Sequence, residues 1–174
     1  YTKADVSNTF ASFITDKDIL SDYINSLHPI SSTLDRTFLT NQMKLADVKI
    51  MQQFFYDFWV KRNPQNPEKA WLDYHQEVLK VNETFGTKIA PGYATERGRV
   101  YLQYGPPNTM SQHYTEPSAY PYEIWHYYKL ANQSNRKFVF YNPDLVTNDF
   151  QLLHSDAQGE ISNTRWQMVV FKRD

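Results

Sequence analysis

The chain contains no cysteine. Disulfide frameworks, cysteine-held zinc and thiol catalysis are therefore excluded. No window approaches the roughly 18 apolar residues that a membrane-spanning helix needs, so no transmembrane segment is expected in this sequence. Basic residues form no block: 18 Lys and Arg stand against 19 Asp and Glu, for a net charge of -1. Nucleic-acid binding requires clustered positive charge, so no nucleic-acid partner is expected. Tyr1 to Asp5 carries neither the basic flank nor the apolar run of a signal peptide. The histidines, His28, His75, His113, His126 and His154, fall at no metal-binding spacing. There is no Gly-x-Ser-x-Gly elbow and no phosphate loop. Gly105-Pro106-Pro107 is read as a turn, because proline removes the N–H donors a phosphate cradle needs. No cofactor and no metal are expected.

Aromatic residues are abundant, with 13 Tyr, 11 Phe and 4 Trp among 174 residues. Tyrosine suits half-wet surfaces, so this excess points to an aromatic binding face or to a core short of aliphatics. The length predicts one domain over residues 1–174, with enough chain for a core without staples.

Tyr1 to Ser12 has no clear period and reads as an entry segment. Thr15 to Asp18 looks like a helix start, with Thr15 as cap. Ile19, Leu20, Tyr23, Ile24 and Leu27 then share one face until Pro29. A short helix after Ser31-Ser32-Thr33 runs through Phe38. Leu45, Val48, Met51, Phe55, Phe58 and Trp59 form a helical strip over about 44–62. Asn66 caps the next helix, with Pro67 at its first position. Trp71, Tyr74, Val78, Val81 and Phe85 line one face, and Gly86 is read as a left-handed stop. The tight Asn63–Pro67 joint predicts antiparallel packing of these two helices.

After Gly86 the period changes. Arg99 to Tyr104 alternates and reads as a strand closed by Gly105-Pro106-Pro107. Asn108 to Pro121 reads as a loop. Tyr122–Tyr128, Lys137–Tyr141 and Phe150–His154 read as further strands, and Thr164 to Phe171 is ambiguous between strand and helix. The expected fold is α+β: antiparallel N-terminal helices over about 13–86, packed on a three- or four-stranded antiparallel meander over about 92–171.

Gly92-Tyr93-Ala94-Thr95-Glu96 is followed at once by Arg97-Gly98-Arg99 and by the Gly105-Pro106 turn. This resembles the GWxTD domain family. Tyr120 to Trp125, Phe138 to Asn142, Phe58-Trp59 and Arg62-Asn63-Pro64 are similar to that family too, so the resemblance covers roughly Leu45 to Trp166. The chain departs from the naming motif at Tyr93, where the family has Trp, and at Glu96, where it has Asp. The resemblance implies an exported protein of a Bacteroidota-type envelope, periplasmic or outer-membrane-associated. It also implies that this is the C-terminal portion of a longer chain. It implies no activity.

At the motif itself, Thr95 can cap a single helical turn with Glu96 near its positive end. Alternatively, Glu96, Arg97 and Arg99 form a charged cluster at a cleft mouth, Arg99 forking onto Glu123. Glu123, Trp125 and Tyr127 fall on one face of their strand; Tyr122, Ile124, His126 and Tyr128 fall on the other. Residues at the Gly92 corner are expected to be reachable from solvent.

Three functions follow. The first is a non-catalytic binding or assembly module of the cell envelope, contacting a glycan or protein partner. Tyr93, Tyr101, Tyr104, Trp125, Tyr127 and Tyr128 would supply aromatic surface; Glu96, Arg97, Arg99 and Glu123 would supply charge. The second is a hydrolase of envelope glycan or peptide, with Glu96 or Glu123 as acid/base and Arg99 tuning the carboxylate; it requires a pocket holding both carboxylates. The third is docking onto other domains of its own chain.

Overall fold

The computed structural model describes residues 4–173; the first three residues of the expected entry segment, and of the stretch tested for a signal peptide, lie outside it. N-terminal helices are followed by a four-stranded antiparallel sheet, an α+β arrangement. The chain divides into two compact units at Leu79/Lys80.

The first unit holds α1 (Lys17–Asn25), α2 (Thr33–Asn41), α3 (Val48–Arg62) and the start of α4 (Pro67–Phe85). Each begins where a side chain satisfies orphan backbone N–H groups. Asp16, one residue beyond the expected Thr15, accepts from the Asp18 and Ile19 amides. Ser32 forms a capping box with Asp35. Asp47 caps α3 at Ile50. Asn66 accepts from the Lys69 amide, with Pro67 first in the helix. The core follows the helical strip: Leu20, Ile24, Met51 and Phe55 are fully enclosed. Across the α3–α4 joint, Trp71 meets Phe55 at 4.8 Å and Trp59 at 5.9 Å between ring centroids. Those pairings make the two helices an antiparallel hairpin.

The second unit contains the last residues of α4, α5 (Glu96–Tyr104), β1 (Thr109–His113), β2 (Tyr122–Leu130), β3 (Gln133–Tyr141), β4 (Gln151–Ser155) and α6 (Trp166–Val170). The strands pair antiparallel in chain order, with a bulge at Val139/Phe140. One sheet face buries Trp125, Tyr127, Phe138 and Phe140. Phe85 of α4 reaches Trp125 at 5.6 Å, and Tyr104 of α5 reaches Phe138 at 5.3 Å. On the other face, Tyr122 and Val170 are buried together, with Ile124, Tyr141 and Trp166 packed beside them.

Three expectations are corrected. Arg99 to Tyr104 is helical, not a strand: Thr95 caps it, and its inward residues are Arg97, Gly98, Val100 and Leu102. Asn108 to Pro121 is not all loop, because β1 lies within it and forms the sheet edge. Gly86 is not left-handed; the glycines with positive φ are Gly105 and Gly159 among the described residues. Gly86 is needed for space instead, since a Cβ there would sit 2.4 Å from the Asn82 carbonyl oxygen. The ambiguous C-terminal stretch resolves as the short helix α6.

Candidate functional site

Helix α5 is held by a backbone approach that only glycine permits. A Cβ on Gly92 would lie 2.1 Å from the Val81 carbonyl oxygen. A Cβ on Gly98 would lie 1.8 Å from the Gly92 carbonyl oxygen. Thr95 joins the two: its hydroxyl donates to the Gly92 carbonyl at 2.7 Å and accepts from the Gly98 amide at 3.1 Å. This is an N-cap built into a chain crossing. The cap extends a full nine-residue helix rather than a single turn. Glu96 opens the helix, and its carboxylate accepts the Leu152 amide of β4.

The helix then aims two arginines in different directions. Arg97 is buried. Its Nη1 donates to Glu123 Oε2 at 3.0 Å and its Nη2 to the Asn148 carbonyl at 3.0 Å. Its guanidinium lies over two rings, 4.1 Å from the Phe150 centroid and 4.8 Å from that of Phe85. Glu123 is 2% exposed and fully engaged. It accepts the Trp125 indole N–H at 3.0 Å on Oε1, and the Tyr114 hydroxyl on Oε2 beside Arg97. Burial and then the Glu123 carboxylate push the Tyr114 phenol well above its ordinary value.

Arg99 does not meet Glu123, contrary to expectation. It forks onto Glu160, with bonds of 2.8 Å and 2.7 Å, and also donates to Gln103 at 3.0 Å. Desolvation lowers the Arg99 pKa, but the Glu160 bond and charge outweigh it, and the net shift is upward. Tyr104 donates to the same carboxylate. Burial first, then Glu160, raises its pKa to about 12.

Beside the Arg97–Glu123 pair lies a cavity of about 430 Å³. Lys80, Val81, Thr84 and Phe85 come from the end of α4, and Arg97 and Tyr101 from α5. Met110 and Gln112 come from β1, with Tyr114, Glu123 and Asn148 completing the wall. Its volume falls within the range of small-molecule sites.

Arg97, Tyr101 and Glu123 line this cleft; of the charged cluster expected at a cleft mouth, Glu96 and Arg99 do not. Glu96 is not among the lining residues, so the two carboxylates required for hydrolysis do not share it. Trp125 and Tyr127, expected as stacking surfaces, are enclosed at 0% and 2% exposure. Tyr127 spends its hydroxyl on the Gly105 carbonyl at 2.8 Å. The Gly92 corner is also less open than expected: Gly92, Thr95, Arg97 and Gly98 are buried, whereas Tyr93 is half-buried and Glu96 exposed. Tyr128 is exposed, but it lies on the opposite sheet face from Glu123.

The sequence reading gave no role beside the arginines to Tyr114, Asn148, Phe150 or Glu160. Glu160 is 61 positions from Arg99, and no local spacing marks such a pair. Among the described residues, no group of three or more His, Asp or Glu could hold a metal, and no helix is long and apolar enough to cross a membrane.

One family model, the GWxTD domain, matches residues 14–171. That span exceeds the Leu45–Trp166 resemblance and runs through both compact units. No curated protein and no solved structure gave a match.

Proposed function

The chain belongs to the GWxTD domain family, and from that premise we propose that it is a binding module of the bacterial cell envelope, whose cleft contacts a glycan or protein partner without catalysing a reaction on it. Its setting is exported, periplasmic or outer-membrane-associated. The observation that carries this reading is the 430 Å³ cleft whose floor is an already neutralised Arg97–Glu123 pair. A floor with its charges cancelled and its hydrogen bonds made holds shape without reacting. Glu123 has three partners, Arg97, Tyr114 and Trp125, which leaves it poorly placed to exchange a proton with a substrate. Glu96 is likewise committed, to the Leu152 amide.

The lining favours a glycan over a flat protein surface. Tyr101 and Tyr114 offer ring faces, while Gln112, Thr84 and Asn148 offer polar groups around them. Rings flanked by polar groups match the alternating C–H and O–H faces of a sugar.

The test is ligand-observed NMR and calorimetric titration with soluble envelope-glycan fragments. The variant is Met110→Ala/Gln112→Ala, chosen because both residues are exposed on an edge strand. Binding by the native protein and about a tenfold or greater loss in the variant is expected, equivalent to about 1.4 kcal/mol. Binding that is unchanged in the variant would refute the cleft as the site.

A further inference from the structure

The face of β1 opposite the cleft carries a different arrangement. Met110 and Gln112 line the cavity, so Ser111 and His113, which alternate with them, lie on the other side of the strand. There, His113 Nε2 lies 3.3 Å from Ser111 Oγ, and His113 Nδ1 lies 2.7 Å from Glu116 Oε1. We propose that Ser111, His113 and Glu116 form a nucleophile–base–orienter relay that cleaves small acyl esters. No other function argued above uses these three residues.

The atoms fall in the order that nucleophilic catalysis requires. A base must face the hydroxyl with one ring nitrogen and a carboxylate with the other. Glu116 selects the tautomer: with its proton on Nδ1 the imidazole donates to the carboxylate, which leaves Nε2 as the acceptor facing Ser111. Glu116 is itself held, because the Tyr122 hydroxyl donates to both of its oxygens, at 3.1 Å and 3.0 Å. Burial and then Glu116 raise the Tyr122 phenol to about 12, so it remains a donor at neutral pH. Tyr122 also fixes the plane of the base. It is the cross-strand partner of His113, and the two rings stack at 4.5 Å with 7° between planes. A buried tyrosine therefore orients both the carboxylate and the imidazole. The Ser111 hydroxyl also donates to the Ile124 carbonyl across 3.5 Å, so its proton is shared between that oxygen and Nε2. The weaker of its two contacts is a long one, and the serine–histidine pair is of the length that tightens when substrate docks.

The chemistry balances without a cofactor. Ser111 Oγ attacks the ester carbonyl carbon as its proton passes to His113 Nε2. The bond from that carbon to the alcohol oxygen breaks, and the alcohol leaves with the proton from Nε2. Water then attacks the acyl-serine by the same route, releasing a carboxylic acid and restoring the hydroxyl. Ser111 is exposed and His113 and Glu116 are partly so. An open relay of this kind suits a small acyl group, such as acetyl, carried on an alcohol.

The test uses the intact chain with a biotinylated fluorophosphonate, the modified residue being mapped by peptide mass spectrometry, and with p-nitrophenyl acetate. A single adduct on Ser111 is expected. Ser111→Ala should remove the adduct and slow ester cleavage roughly a hundredfold or more, and His113→Gln should do the same. Glu116→Gln should leave the adduct but form it about tenfold more slowly. No adduct on Ser111 in the native chain, or cleavage unchanged in Ser111→Ala, would overturn the proposal. The labelling of the native chain needs no variant to fold.

Discussion

Arg97 and Arg99 sit two residues apart on α5, and each ends on a glutamate, yet the two corners of the helix differ in kind. At the first corner the ion pair is buried, with side chains 6% and 3% exposed. It is roofed by Phe85 and Phe150 and shares its carboxylate with an indole and a phenol. At the second, Arg99 keeps 24% of its side chain in solvent while forking onto Glu160, itself 7% exposed. Geometry alone would rank the fork higher. Burial reverses the ranking for what happens when one partner is removed, because an unpaired charge costs most where water cannot reach it.

The largest effect should therefore come from Arg97→Met. Stranding Glu123 should cost about 3–5 kcal/mol, read as a lower denaturant midpoint in chemical unfolding. Adding Glu123→Gln should return much of that loss. Arg99→Met should cost less, about 1–2 kcal/mol, because Glu160 keeps the Tyr104 hydroxyl as a partner when the arginine is gone. Salt of about 1 M should weaken the Arg99 contribution and leave that of Arg97 nearly intact. Equal losses from the two arginines would erase the distinction. Thr95→Ala tests what both corners share, the cap that aims them, and should cost about 1 kcal/mol.

The smallest effect concerns pH. Tyr104, at the Glu160 corner, has its pKa raised from 10.0 to about 12. A raised value means that the folded state holds its proton longer than the unfolded chain does. The resulting stability is fully present below pH 10 and is lost as pH rises through about 12. Tyr104→Phe should delete one late component from the tyrosinate absorbance titration and flatten the alkaline fall in stability.

The same two corners show where sequence reading succeeds and where it stops. α3 and α4 were legible because their apolar residues recur at helical spacing and capping residues stand at the right ends. β2 was legible because its ring-bearing residues alternate. α5 was misread as a strand because Val100 and Leu102 alternate with polar neighbours, while two of its inward residues, Arg97 and Gly98, carry no apolar signal. The Thr95 cap was visible, but the length of helix it starts was not. The Arg–Glu cluster was expected with the right residue types and the wrong pairing. A strand would put Arg97 and Arg99 on one face, whereas a helix turns successive residues through about 100° and so sends the two apart. Ser111 and His113 were hidden by the reading of β1 as loop, since their shared face exists only once the strand is formed.

The crossing at Gly92 and Gly98 has a consequence for which letters of the family's name this chain is free to rewrite. The positions it keeps are Gly92, where a side chain would collide with the Val81 carbonyl, and Thr95, whose hydroxyl bridges two backbone groups. The positions it alters are Tyr93, half-buried, and Glu96, whose residue lies at the surface and needs only a carboxylate long enough to reach the Leu152 amide. Spelling is thus strict where the backbone itself is the contact surface and lenient where a side chain points away from it.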